Sequence, residues 1–89
     1  MSFNIPLHPK AARFLKKLER SLRGRIIGDL RQLEESPQEK GERLIHSPFW
    51  RLRVGDYRVI YEIDRSQRKV IILFIGHRRD VYDEFSRLL

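Results

Sequence analysis

Arg51, Arg53 and Arg58 stand on either side of Gly55-Asp56, and His77, Arg78, Arg79 and Tyr82 follow a long apolar run. Arginines two residues apart in an extended chain point to the same side, and the planar guanidinium fork suits the oxygens of a phosphate. A tyrosine or histidine beside such a cluster adds a flat ring that stacks on an unpaired base. Histidine is the side chain that titrates near neutrality, which makes His77 the candidate acid or base. Together these residue types are the parts of a single-stranded RNA site.

The elements that must position them are strands. PFWRLRV and YRVIYEI flank Gly55-Asp56, and glycine at the first central position suits a type II′ hairpin turn. A two-residue loop sets Val54 opposite Tyr57, Arg53 opposite Arg58, Leu52 opposite Val59 and Arg51 opposite Ile60. One face then carries Trp50, Leu52, Val54, Tyr57, Val59, Tyr61 and Ile63. The other carries Arg51, Arg53, Arg58, Ile60 and Glu62. Arg53 facing Arg58 is a repulsion that stability alone does not favour, which points to an anion partner. The same pattern also suits a water-facing strand surface whose arginine stems cover apolar area, so the hairpin by itself leaves both readings open.

Around the hairpin, Phe3, Ile5 and Leu7 alternate with polar residues as a short first strand, with Pro6 at an edge or bulge. Pro9 opens an amphipathic helix with Ala12, Leu15, Leu18 and Leu22 on one face. Gly24 is expected to interrupt it before Ile26, Ile27, Leu30 and Leu33 resume the period, giving a helical hairpin or one bent helix that ends at Ser36-Pro37. The outer faces hold Lys10, Arg13, Lys16, Lys17, Arg20, Arg23, Arg25 and Arg31. Lys16, Lys17 and Arg20 are candidate RNA-backbone contacts, with a solvated helix face as the plain alternative. Residues 37–41 read as a connector. Residues 70–75 are apolar on both faces and are expected to form the central strand of a covered sheet. Asp80 can cap a last short helix bearing Val81, Tyr82, Phe85, Leu88 and Leu89. The expected fold is a single α+β domain over residues 1–89. A small antiparallel-rich sheet packs on an N-terminal helical hairpin in β-α-α-β-β-β order, with a short C-terminal helix.

Composition narrows the chemistry. Nineteen Lys and Arg against 12 Asp and Glu give a net charge of +7, which favours a polyanion, either nucleic acid or an acidic protein. Cysteine is absent, which removes disulfides and thiolate metal sites, and His8, His46 and His77 have no ligand spacing. P-loop, Rossmann and nucleophile-elbow patterns are absent as well, so no metal and no small-molecule cofactor is expected. The start MSFNIPLHPK lacks a signal-peptide core and no run is long enough to span a membrane, so a cytoplasmic protein is expected.

The hairpin core LRVGDYRVIYEI and the closing GHRRDVYDEF, in this order of elements, resemble the RelE/ParE toxin superfamily of prokaryotic toxin-antitoxin modules over nearly the whole chain. The resemblance implies an acidic antitoxin wrapped around the toxin. In RelE-like members it implies mRNA cleavage in the ribosomal A site, and in ParE-like members poisoning of DNA gyrase. RelE-like cleavage is a metal-free attack of a ribose 2′-OH on the adjacent phosphate, leaving a 2′,3′-cyclic phosphate. Carried onto this chain, Arg51 and Arg53 match the basic strand positions, and Arg58 matches the phosphate-binding arginine of YR-x-x-Y. Arg78 and Tyr82 match the basic and stacking residues near the C-terminus, with Arg79 a further RNA contact. Better-known nucleases carry lysine where this chain has Arg51 and Arg53, and arginine stays protonated, so neither serves as a base. Arg53 and Arg58 are expected at the phosphorane, Arg78 at the leaving oxygen, Tyr82 on a base and His77 as acid or base. Arg58→Ala is expected to remove charge without opening the core, leaving thermal stability nearly unchanged or slightly raised by relief of the repulsion from Arg53.

Overall fold

The computed structural model describes residues 2–87. Its elements are α1 (Pro9–Lys17), α2 (Arg20–Gln32), α3 (Pro37–Lys40), β1 (Glu42–Arg43), β2 (Phe49–Val54), β3 (Tyr57–Asp64), β4 (Lys69–His77) and α4 (Val81–Ser86). The four strands form one sheet in the order β1-β2-β3-β4, with every pair antiparallel. Gly55 has φ of 59° and Asp56 is not among the positive-φ residues, which is the II′ pattern. The β2–β3 register is the expected one, from Val54 opposite Tyr57 through Arg53 opposite Arg58 to Arg51 opposite Ile60.

Strand alternation then builds two cores. On one face Leu52, Val54, Val59, Tyr61, Val70, Ile72 and Ile75 bury against Ala11 and Leu15 of α1 and Ile26 and Leu30 of α2. On the other, Ile60 and Phe74 bury against Val81 and Phe85 of α4. Phe85 meets Phe49 and Phe74 edge-on, with ring centroids 4.8 and 5.6 Å apart. The arginine face of the hairpin is therefore the face that α4 partly covers. Leu88 and Leu89, expected to extend that helix, lie outside the described residues.

Three expectations need correction. The first segment is not a full strand. Asn4 and Leu7 make isolated parallel bridges to Lys69 and Ile72, since Pro6 has no N–H to continue a ladder. β4 is the last of the four strands, although residues 4–8 bond to its outer edge so that it still has backbone partners on both sides; it is apolar on both faces because α1 lies over one and α4 over the other. A bulge at Leu73, where Ile60 pairs Phe74 but Tyr61 pairs Ile72, sends both Leu73 and Phe74 toward α4.

The helical break is also elsewhere. It falls at residues 18–19, where Leu18 is extended and Glu19 turns its carboxylate onto the Ser21 N–H at 3.0 Å and the Ser21 hydroxyl, capping α2. Gly24 lies inside α2 with open space where a Cβ would be. Gly24→Ala should therefore raise stability by about 0.5–1 kcal/mol, because alanine loses less backbone entropy in a helix interior. Thermal melting checks this, and a lower melting point would mean that the added methyl group meets something that the open space at Gly24 does not show.

Candidate functional site

Arg51, Arg53 and Arg58 share one face of the β2–β3 ribbon, as the pairing dictates. Arg51 is held from two sides: one Nη donates to the Glu42 carboxylate at 2.6 Å and the other to the Tyr82 hydroxyl at 3.0 Å. Its side chain is 21% exposed, and its buried Nε has no hydrogen-bond partner among the described residues. The bond to Tyr82 pushes the guanidinium pKa up, so Arg51 stays a cation. In return Arg51, reinforced by the charge of Arg53, holds the Glu42 carboxyl below the usual carboxylate range. Glu42 is thus an ionised carboxylate within the basic cluster.

Arg58 is not an idle surface charge. Its Nη1 donates to the Gly55 carbonyl at 2.7 Å and to the Tyr57 carbonyl at 2.8 Å, bracing the turn. Gly76 pairs with Arg58 on β4, and a Cβ there would come within 3.3 Å of Val81, so glycine lets the start of α4 close down beside the arginines. Arg78 leaves β4 at the same end. Its N–H donates to the Asp56 carbonyl at 2.8 Å, and its Nε lies 3.9 Å from the Asp56 carboxylate. The guanidinium of Arg25 also reaches the turn, 3.1 Å from where a Gly55 Cβ would sit. Tyr82, 36% exposed, has its hydroxyl fixed by Arg51 and leaves part of its ring open.

His77 is not brought to this cluster. It pairs with Tyr57, whose side chain belongs to the helix-covered face, and the two rings meet edge-on at 5.6 Å. Its Nδ1 accepts the Arg79 N–H at 3.2 Å, so the imidazole organises the turn into α4. Asp80 occupies the N-cap position without a side-chain capping bond. The Arg79 side chain is exposed on that turn. Lys16, Lys17 and Arg20 are exposed at the α1–α2 junction, in the layer on the far side of the sheet from Arg53 and Arg58. Lys17 also lines an open cleft of about 370 Å³ between α1 and the end of α4, with Lys10, Arg13, Phe14, Phe74 and Arg87.

The residue that sequence reasoning missed is Glu42. It sits on a two-residue strand that has no periodicity to detect, and only its pairing with β2, Glu42 opposite Arg51, brings it to the face. With His77 directed elsewhere and the arginines permanently protonated, the carboxylates that touch the cluster among the described residues are Asp56, 3.9 Å from Arg78, and Glu42, which is hydrogen-bonded directly to Arg51 and able to accept a proton there.

Comparison with known proteins bears on the fold and the family. No curated protein matches the chain in sequence. The toxin in the RelBE2 toxin-antitoxin complex from Mycobacterium tuberculosis superposes with a TM-score of 0.78 at 26% identity, covering 88% of this chain and 100% of that one. An arginine double mutant of the E. coli toxin RelE in the free state gives 0.79 at 20% identity over 100% of both chains. A YoeB/ParE toxin from Agrobacterium tumefaciens gives 0.70 at 14% identity, covering 84% of this chain and 98% of that one. The latter two speak to the fold alone. The family model for the ParE toxin of type II toxin-antitoxin systems matches residues 5–82, and with that span the chain belongs to this toxin family, within the RelE/ParE superfamily.

Proposed function

We propose that this toxin cleaves mRNA on the ribosome, with the α4-bordered arginine face as its active surface. The observation that carries the reading is Arg51 gripped between Glu42 and Tyr82 beside the Arg53–Arg58 pair. Glu42 accepts the proton of the attacking 2′-OH. Arg53 and Arg58 hold the phosphorane, whose extra negative charge they meet better than that of the ground state. Arg78 meets the charge on the departing 5′ oxygen, which takes its final proton from water, and a 2′,3′-cyclic phosphate remains. Tyr82 stacks on a base. When Arg51 turns toward a phosphate it releases Glu42, whose proton affinity then rises, so substrate binding itself readies the base.

The ParE family match favours a second reading, a non-nuclease inhibitor of DNA gyrase using the same basic surface. A chain that only binds its antitoxin is the remaining alternative. Inducing the protein alone in cells and mapping mRNA ends separates them. Rapid new ends inside reading frames are expected; gyrase-linked DNA breaks with intact mRNA would favour the inhibitor, and neither would leave antitoxin binding.

Relatives of this fold are found in complexes with RelB antitoxins, and the +7 charge points to an acidic antitoxin segment on part of the basic surface. Its affinity should fall as salt rises, because exposed charge pairs are screened. Calorimetry showing tight binding without salt dependence would mean an apolar interface instead.

A further inference from the structure

Tyr61 is wholly buried on the helix-covered face, stacked near Trp50 with centroids 6.3 Å apart. Its hydroxyl reaches past the end of the core and donates to the Pro37 carbonyl at 2.6 Å. Four residues on, Gly41 has extended backbone with φ of −113°, so it is not a glycine for conformational reasons. It is a glycine for space, because a Cβ there would collide with the Tyr61 hydroxyl and come within 2.8 Å of the Arg51 carbonyl. The next residue is Glu42.

The elements between these anchors have little stability of their own. α3 is a four-residue turn without a side-chain cap, and β1 has two residues, both exposed. A single helical turn and so short a strand do not hold a position unaided. The register that sets Glu42 opposite Arg51 is closed on one side by the turn to β2, where the Leu44 N–H donates to the Phe49 carbonyl at 2.8 Å, and on the other it depends on how residues 37–41 dock on Tyr61. We infer that Tyr61 and Gly41 are positioning residues for the Glu42 carboxylate, acting from the opposite face of the sheet through the Pro37 carbonyl and the close approach at Gly41. The catalytic part of this inference rests on the reading of Glu42 as the base.

Tyr61→Phe keeps the ring and removes the anchor. In the ¹³C-labelled protein the Glu42 carboxyl should titrate higher in Tyr61→Phe, toward ordinary glutamate, as its bond to Arg51 loosens. Asp64, held low by Ser66 and Gln67 at the other end of β3, should not move and serves as the internal control. Cleavage on ribosomes should fall on the order of tenfold to a hundredfold, as expected for a displaced catalytic group. In a Glu42→Gln background Tyr61→Phe should cost almost nothing more. An unchanged Glu42 titration, or an equal loss in both backgrounds, overturns the inference. Should Tyr61→Phe fail to fold, Gly41→Ala keeps the hydroxyl, crowds it and is read by the same titration. The titration needs no cleavage, so a wild-type chain that leaves mRNA intact refutes the nuclease reading while the titration still decides the positioning.

Discussion

Arg58→Ala should lower cleavage of ribosome-bound mRNA by on the order of a hundredfold or more. A preorganised cation aimed at a developing oxyanion is the kind of group whose loss costs that much. The substitution removes two hydrogen bonds, 2.7 Å to the Gly55 carbonyl and 2.8 Å to the Tyr57 carbonyl, and those bonds change the expectation for stability. Each is worth about 0.5–1.5 kcal/mol net. Relief of the repulsion from Arg53 offsets part of that, leaving a net loss of about 1 kcal/mol and a melting point a few degrees lower. Arg58→Lys should recover only part of the rate, because a point charge does not reproduce the bidentate fork. Cleavage assays beside melting curves check both quantities. A variant that melts far earlier yet cuts normally once folded would make Arg58 a brace for the turn and nothing more.

Glu42→Gln should lower the cleavage rate by about a hundredfold, near the weak end of what a general base contributes. The reason for that end is the Arg51 hydrogen bond, which holds the carboxyl below the usual range and so makes it a poor proton acceptor until substrate draws Arg51 away. The sign of the pH dependence follows. A carboxyl whose folded value is depressed stays ionised as pH falls through the ordinary glutamate range, and its contribution is lost only below that range. Wild-type kcat/KM, which reports the free enzyme with Arg51 still on Glu42, should keep a plateau toward acid and then fall, whereas Glu42→Gln should show no acid limb from this group. The variant also leaves Arg51 without its carboxylate partner, so KM should hold steady or drop while kcat falls. Raised KM with unchanged kcat would instead assign Glu42 to binding or to the architecture of β1.

The arginine face was legible from local chemistry because a two-residue turn and the period-two pleat leave no freedom about which side chains share a side. Once Gly55-Asp56 was read as the turn, Arg51, Arg53 and Arg58 had to lie together. The helical layer was equally legible from its apolar period, although the break at residues 18–19 was not, since a glutamate capping from the side competes with the more obvious glycine. The apolar run at residues 70–75 announced cover on two faces, but not that α4 supplies one of them from the sheet's last strand. Which residues join the three arginines was decided by tertiary structure. His77 turns away because the β3–β4 pairing sets it opposite Tyr57, and Glu42 arrives because β1 pairs beside Arg51. Neither follows from sequence spacing, since a strand's register against a distant partner is fixed by how whole faces bury, and a two-residue strand carries no pattern of its own.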